Sequence, residues 1–289
     1  MEYQEILEKI KNLEIQGAIN IAIKGVEAFG LKLKETQDEA ELKKYIQEII
    51  DTRATEPAMR NGLNFCLANR DKFKDPVAET IKYFTESKKK IAEIGANKIH
   101  DGMKIFTHCH SSTVVAILIE AKNQGKKFEV YNTETRPKFQ GRKTATNLAK
   151  EGIPVLHMVD SCGRSRIREC DLFLFGCDAV TTEGFLINKI GTESLVDAAC
   201  ESSVPAYSCT SAWKFDIETV YGHDTEIEER DHKEVWEDAP AGVKIYNPAF
   251  EITRPDKFSG IITELGVFKA EALVTEVQKS YPYLFTEKS

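Results

Sequence analysis

Two hydrophobic patterns divide this chain, one on each side of about residue 103. In the first part, apolar residues such as Ile6 and Ile10 recur at helical spacing, and a long amphipathic run over 76–94 places its lysines on the outside. No stretch of this part alternates as a strand does. We therefore expect residues 1–100 to form an N-terminal helical domain.

The second part alternates short apolar runs, rich in β-branched residues, with helical stretches. The predicted strands cover 103–109, 128–133, 154–159, 171–177 and 205–210, and the helices cover about 113–124, 139–151 and 185–201. Strand and helix in alternation at this spacing are typical of a parallel sheet. The predicted fold class is therefore α/β, with a mostly parallel sheet over residues 101–289.

Polar residues that directly follow the predicted strands are candidate site residues, because ligands of parallel sheets bind beyond the carboxyl ends of the strands. Cys109 ends the first strand, and Ser111 and Ser112 then begin a helix whose N-terminus suits a phosphate group. Asp178 follows the fourth strand, at a depth where a carboxyl group is a candidate acid or base.

Cationic residues are predicted at the same edge of the sheet. Asn188 and Lys189 open the helix that follows the turn at Gly184, and Lys214 comes after the fifth strand. Together with the helix N-terminus at Ser111, the two lysines predict an anionic ligand with more than one charged group.

Each of these residues also has a structural explanation. Cys109 is either a buried strand thiol or a reactive thiol whose pKa is lowered by the helix N-terminus and by cations. Asp178 also fits a helix cap or a turn, and Asn188-Lys189 also fit an ordinary helix start. Glu134 and Arg136, after the second strand, either pair with each other or bind substrate.

A zinc site is a third interpretation of the segment FTHCHSS, residues 106–112. In an extended strand, His108 and His110 share one face while Cys109 points to the other. This alternation disfavours one metal ion bound by all three side chains.

Composition excludes several classes of function. The 289 residues carry a net charge of −7 with a pI near 5.6, which argues against a nucleic-acid binder that relies on a basic surface. The N-terminus lacks the apolar core of a signal peptide, and no window reaches the ~18 apolar residues of a membrane span. Seven scattered cysteines without a CxxC pair suit a reducing compartment. We expect a cytoplasmic protein with neither nucleic acid nor membrane as its partner.

A set of ordered motifs then resembles one superfamily along nearly the whole chain. The motifs are IKNLEIQGA, DTRATEP, THCHS, TETRPKFQGRKTA, VDS, GCDAVTTEGFLINKIGT and YNPAFEITRPDKFSGIITELG. The superfamily contains methylthioribose-1-phosphate isomerase, ribose-1,5-bisphosphate isomerase and the regulatory α, β and δ subunits of translation initiation factor 2B. The segments VYNTETRPKFQG and WKFD are most similar to the ribose-1,5-bisphosphate isomerase branch.

The resemblance implies a fold, an activity and a set of site residues. The fold is an N-terminal helical domain, 1–100, followed by a Rossmann-like catalytic domain, 101–289. The activity is the conversion of ribose 1,5-bisphosphate to ribulose 1,5-bisphosphate in AMP salvage, without metal or redox cofactor. Cys109 would move the carbon proton, and Asp178, protonated at the start, would move the oxygen protons. The implied substrate-binding residues are Gln16, Gly17, Ala18, Ile19, Arg53, Ser111, Ser112, Asn188, Lys189 and Lys214.

Some positions depart from the family pattern. Gln16 stands where an arginine is expected and Ser112 where a basic residue is common, so the phosphate sites have fewer charges. Arg164 and Arg166, after the VDS motif, either compensate for these losses or face a partner.

Two alternatives therefore stay open beside the isomerase of ribose 1,5-bisphosphate. One is a non-catalytic regulatory protein like the subunits of initiation factor 2B, and the other is an isomerase of another pentose 1-phosphate such as methylthioribose 1-phosphate. The presence of both Cys109 and Asp178 favours an enzyme, and Arg53 with Lys214 favours a second phosphate. The resemblance also implies a homodimer formed through the Rossmann-like domains, or a homohexamer of three dimers.

Overall fold

The computed structural model describes residues 1–15, 17–53, 55–225 and 227–285. Its first part is helical: α1 (Tyr3–Lys11), α2 (Ala18–Leu33), α3 (Glu39–Asp51), α4 (Pro57–Ala68) and α5 (Pro76–Ala96). The sequence explains several of the helix starts. The Asp38 side chain accepts a hydrogen bond from the backbone of α3, Asp75 does the same for α5, and α4 and α5 both begin with proline.

Strands and helices then alternate. The elements are β1 (Lys104–Thr107), α6 (Ser112–Asn123), β2 (Glu129–Thr133), α7 (Gln140–Lys150), β3 (Val155–Met158), α8 (Gly163–Ile167), β4 (Leu172–Phe175), β5 (Ala179–Val180), β6 (Leu186–Lys189), α9 (Thr192–Glu201), β7 (Ala206–Cys209), β8 (Phe250–Thr253), β9 (Gly260–Thr263), β10 (Gly266–Phe268) and α10 (Ala270–Ser280). The five predicted strands are confirmed as β1, β2, β3, β4 and β7. Within the described ranges, we find no helix with the length and apolar character needed to cross a membrane.

The main sheet has the strand order β10-β9-β7-β4-β1-β2-β3. Its strands pair in parallel, except that β10 is antiparallel to β9. The order reverses between β1 and β4, because the chain proceeds from β1 outward to β2 and β3 and then returns to β4 on the other side. In open α/β sheets such a switch point is the usual place for a ligand.

Both faces of the central strands of this sheet are buried, as their continuous apolar runs require. Phe106, Phe173 and Phe175 belong to one core, and Leu172 and Leu174 belong to the core on the other face. The first core also contains apolar residues of α1 to α5, so the N-terminal helices and the sheet share it. The division into two domains at residue 100 stays a prediction.

A second, antiparallel sheet of β5, β6 and β8 follows the end of β4. The prediction that one helix covers 185–201 is wrong in its first part, because 186–189 forms β6 and α9 begins only at Thr192. The β5 strand is two residues long, and so short a run of alternation leaves no periodic signal in the sequence.

Candidate functional site

A cavity of about 420 Å³ opens at the carboxyl edge of the main sheet, at the switch point. Cys109 follows β1 and Asp178 follows β4, and these strands are hydrogen-bonded neighbours in the sheet. Both residues line the cavity. A β-carbon on Gly176 would lie 2.9 Å from Cβ of Ser111, so glycine is needed here for the end of β4 to approach the start of α6.

The cavity also brings together the other candidate substrate-binding residues. Its lining includes Gly17, Ala18, Ile19, Arg53, Ser111, Ser112, Asn188, Lys189 and Lys214. Gln16 lies outside the described residues. Residues that are far apart in the chain thus form one surface, although their individual roles remain predictions.

Cys109 is held in a left-handed backbone conformation, with φ of 64°. Its N–H donates to Oγ1 of Thr135 at 3.0 Å, and its thiol donates to Oε1 of Gln140 at 3.6 Å. Gln140 is at the start of α7, which lies close to the end of β2. A β-carbon on Gly141 would be only 1.7 Å from the carbonyl oxygen of Thr133, so this approach also requires glycine.

The expected lowering of the pKa of Cys109 is wrong for the protein without substrate. Burial raises the pKa of this thiol to about 11, although the Lys189 charge and the backbone N–H of His110 act in the opposite direction. The free-energy cost of removing water from the ionised thiolate exceeds the stabilisation that one lysine and one N–H group provide. Cys109 is therefore a thiol at neutral pH, which agrees with its donation to Gln140.

The two histidines beside Cys109 are bound in separate hydrogen-bond networks. His108 contacts the Ile190 carbonyl through Nε2 at 3.0 Å and the Thr133 hydroxyl through Nδ1 at 2.6 Å. Both of its ring nitrogens are thus occupied, and burial lowers its pKa. His110 contacts the hydroxyl of Thr144 through Nδ1 at 3.0 Å, and burial lowers its pKa to about 4. A shared zinc site does not fit this arrangement, because His108 has no free lone pair.

Asp178 lies beside a lysine that is fixed by the backbone. Nζ of Lys214 is 3.8 Å from Oδ1 of Asp178 and donates a hydrogen bond to the carbonyl of Cys177. Lys214 belongs to a short 3₁₀ turn after β7. Asn61 of α4 donates to the carbonyls on both sides of Lys214, at 2.8 and 2.9 Å, so the N-terminal helices hold this lysine in place.

The prediction that Asn188 and Lys189 open a helix is wrong, because both residues end strand β6. Asn188 is buried and donates to the hydroxyl of Thr192 at 2.9 Å, and Nζ of Lys189 lies 4.6 Å from the ring centre of Phe250. Both residues still line the cavity. Their position comes from the antiparallel pairing of β6 with β8 and not from a helix N-terminus.

One end of the cavity is formed by the start of α2. Gly17 has φ of 88° and supplies no side-chain cap to this 16-residue helix, whose first N–H groups have no intrahelical acceptor. Arg53 lies at the same end, where its guanidinium is 3.1 Å from the carboxylate of Glu228. The positive end of the α2 dipole favours an anion here, while the Arg53 charge is shared with Glu228 and, at 3.6 Å, with Glu56.

The start of α6 forms a second end of the cavity, where another helix N-terminus favours an anion. Ser111 caps the helix by accepting from Val114 N at 3.3 Å, and Ser112 follows. Lys88 of α5 and Lys143 of α7 also line the cavity, and both charges act on His110. Neither lysine has an ion-pair partner in the part of the chain that the structure describes.

Sequence analysis missed both lysines. Lys88 lies on α5, far from every motif, and only the packing of α5 against α6 reveals it. Lys143, like Gln140, is part of the TETRPKFQGRKTA motif and was within reach of sequence analysis.

Four charged residues named from the sequence lie outside the cavity lining. Glu134 pairs with Arg142 at 3.2 Å, and Arg136 donates to the Val235 carbonyl at 3.2 Å. These two residues therefore have structural partners, but the expected pair between them is wrong because Glu134 pairs with Arg142 instead. Arg164 and Arg166 pair with glutamates at the surface, at 2.6 and 2.7 Å, so they do not replace the charges missing at Gln16 and Ser112.

Comparison with known proteins places this architecture among related chains. The model of the "Initiation factor 2 subunit family" matches residues 14–270. A protein of Methanocaldococcus jannaschii named ribose 1,5-bisphosphate isomerase is 38% identical over 296 residues, covering 97% of this chain and 96% of that protein.

Two solved structures have the same fold. The translation initiation factor eIF-2B of Pyrococcus horikoshii OT3 superposes with a TM-score of 0.80 at 32% identity, covering 92% of this chain and 96% of that one. The 5-methylthioribose 1-phosphate isomerase of the same organism has a TM-score of 0.74 at 23% identity, covering 96% and 88%.

Alkylation of Cys109 should show its raised pKa directly. Because only the thiolate reacts, we expect the rate of carbamidomethylation by iodoacetamide to rise about tenfold for each unit between about pH 8 and pH 10. Peptide mass spectrometry measures this rate, with exposed Cys162 as the internal reference for the reagent. A rate that is already constant at about pH 8 would contradict the role given to burial.

Proposed function

This chain belongs to the initiation factor 2 subunit family, and we propose that it is an isomerase that converts ribose 1,5-bisphosphate into ribulose 1,5-bisphosphate. The observation that carries the proposal is one cavity that is lined by the Cys109 thiol, the Asp178 carboxyl, the starts of α2 and α6 and several cationic side chains. The M. jannaschii relative of this name supports it.

The substrate sets a chemical problem that these two groups can solve. The phosphate on C1 prevents the ring from opening as a free sugar does, so an acid must protonate the ring oxygen as the C1–O4 bond breaks. A base must also remove the proton from C2. A carboxylic acid and a thiolate are suitable groups for these two transfers.

The proton transfers balance over one turnover. Asp178 gives its proton to O4, and Cys109, as thiolate, takes the proton from C2 to form a cis-phosphoenolate. The Cys109 thiol then delivers that proton to C1. Asp178 recovers a proton from the C2 hydroxyl, which leaves the C2 ketone and restores both residues.

The reaction needs the thiolate form of Cys109, and the proton of the resting thiol passes to solvent when that form arises. Lys189 and the backbone N–H of His110 are the groups that favour the charged sulfur. Gln140 accepts from the thiol, and a rotation of its amide group presents Nε2 as a donor to the thiolate.

A non-catalytic regulatory protein is the second candidate function, and the similarity to eIF-2B of P. horikoshii favours it. Cys109 and Asp178 have no regulatory use in that case, so their arrangement in one cavity favours the enzyme. An isomerase of a pentose with a single phosphate is less well supported, because Lys88 and Lys143 supply a second cationic end that such a substrate leaves empty.

We place the reaction in the cytoplasm, in nucleotide salvage, where AMP is the source of the pentose. All seven cysteines are free in the structure, which suits a reducing compartment. Ribulose 1,5-bisphosphate is the substrate of a carboxylating enzyme, so such an enzyme would consume the product.

Conversion of ribose 1,5-bisphosphate, followed by phosphorus and proton NMR in D₂O, tests the proposed function. We expect the wild-type protein to form ribulose 1,5-bisphosphate and Cys109→Ser and Asp178→Asn to lose about three orders of magnitude in rate, because a serine is a poor base and an amide delivers no proton. Cys162→Ser and Asp256→Asn, at exposed positions outside the cavity, are the matched controls. No conversion by folded wild-type protein would favour the regulatory function.

Removal of the Lys88 charge should weaken the binding of only one of the two phosphates of the substrate. We expect Lys88→Ala to weaken binding of ribose 1,5-bisphosphate about tenfold, the effect of losing one charge-assisted contact. Of the inhibitors ribose 1-phosphate and ribose 5-phosphate, only one should lose affinity. Lys82→Ala, on the same helix but outside the cavity, is the control. An equal loss for both monophosphates would refute a specific contact.

We also propose that the chain forms homodimers, or a homohexamer of three dimers. Edge strand β3 and its end expose apolar residues, with Leu156 at 45% and Val159 at 50% exposure, and such residues on an edge strand favour association. Light scattering after size-exclusion chromatography should give a mass of two or six chains. The double variant Leu156→Lys, Val159→Lys should have a smaller mass than the wild type. A wild-type monomer at micromolar concentration would contradict this proposal.

A further inference from the structure

A second arginine that the proposed reaction does not use lines the cavity together with Arg53. Arg230 lies in the segment between β7 and β8, and its side chain is 13% exposed. Its buried Nε has no hydrogen-bond partner among residues 1–15, 17–53, 55–225 and 227–285. A guanidinium group that is largely withdrawn from water is stabilised by anionic partners, so Arg230 is a candidate ligand for a phosphate group.

Backbone hydrogen bonds fix the position of Arg230. Its N–H donates to the carbonyl of Asn247 at 2.8 Å, and the N–H of Ala249 donates to the carbonyl of Glu228 at 2.7 Å. These bonds join the segment to the residues directly before β8, and β8 pairs with β6, which ends in Lys189. Arg230 is therefore part of a hydrogen-bonded framework that also carries a lysine of the cavity, and such a framework positions a side chain more precisely than a free loop.

The carboxylate of Glu228 lies between the two arginines. Its Oε2 accepts a hydrogen bond from Arg53 at 3.1 Å, and its Oε1 is 3.8 Å from Nη1 of Arg230. One anionic group thus faces both guanidinium groups, with one oxygen toward each. A phosphate group is also anionic and has three acceptor oxygens, so it suits the same two partners.

The other contacts of this cluster allow one anion to replace another. Glu234, which is 2.9 Å from Arg230, is also 2.9 Å from Lys138 and keeps that cation if Arg230 turns toward a ligand. The Glu228 side chain is 25% exposed, so its carboxylate can be hydrated after a ligand has displaced it. Displacement of Glu228 therefore leaves neither carboxylate without a cation or water.

We propose that Arg230 is a phosphate-binding residue, and that a phosphate group of the substrate replaces the Glu228 carboxylate between Arg53 and Arg230. The inference rests on the proposed function, because the substrate named there has two phosphates. Arg230 supplies, from the segment between β7 and β8, a charge of the kind that is missing at Gln16.

The binding of two monophosphates to the protein, measured by isothermal titration calorimetry, tests this proposal. Lys88→Ala, which removes a charge at the start of α6, identifies which of ribose 1-phosphate and ribose 5-phosphate binds there. We expect Arg230→Gln to weaken binding of the other monophosphate about tenfold, because a charge-assisted hydrogen bond is lost. Arg230→Lys should recover only part of that loss, since an ammonium group cannot bind a phosphate through two parallel N–H groups.

The substitution Glu228→Gln should have the opposite effect. It removes the competing charge and keeps a side chain of the same size, so we expect the monophosphate that depends on Arg230 to bind about fivefold more tightly. A gain in affinity cannot result from damage to the fold. This variant therefore tests the proposal even if Arg230→Gln is unstable.

The exposed ion pair of Arg164 and Glu201 provides matched controls outside the cavity lining. Arg164→Gln and Glu201→Gln make the same changes of charge and should leave both affinities unchanged. If Glu228→Gln shows no gain, or if folded Arg230→Gln weakens both monophosphates equally or neither, the inference is wrong. The expected changes in binding, without conversion of ribose 1,5-bisphosphate by the wild type, would instead count against the proposed function alone.

Discussion

The parallel pairing of β1 with β4 determines where chemistry can take place in this protein. Parallel strands end at the same edge of a sheet, and the strand order reverses between these two. The chain therefore leaves the sheet in two directions, and the space between them becomes the cavity. Cys109 and Asp178 both line it because each follows one of these strands. Gly176 and Gly141 allow the helices beside the cavity to approach closely.

Burial gives this cavity its chemical character. It keeps Cys109 protonated in the resting protein and favours neutral forms of His108 and His110. The proposed chemistry therefore depends on a thiolate that burial disfavours, and Lys189 with the backbone N–H of His110 opposes that effect.

The distribution of cations separates this chain from the expected family pattern, although cations still line the cavity at the start of α6. Ser112 has replaced a commonly basic residue, and the cations at that end come instead from α5 and α7, as Lys88 and Lys143. Both helices pack around the start of α6. A binding site can thus keep its charge while the positions that supply the charge change, provided that the helices meet at the same point.

The sequence alone determined the α/β class, the five central parallel strands and the polar residues that follow them, because the periodicity of a buried strand is local and strand ends are marked by polar residues. It also identified Cys109, Asp178 and Lys214 as neighbours at one edge. Only the tertiary structure decided that Asn188 and Lys189 end a strand, that Glu134 and Arg136 lie outside the cavity lining, and that burial outweighs the helix field at Cys109. It also revealed Lys88. These outcomes depend on which helix packs against which strand and on how much water is excluded, and neither quantity is encoded in local spacing.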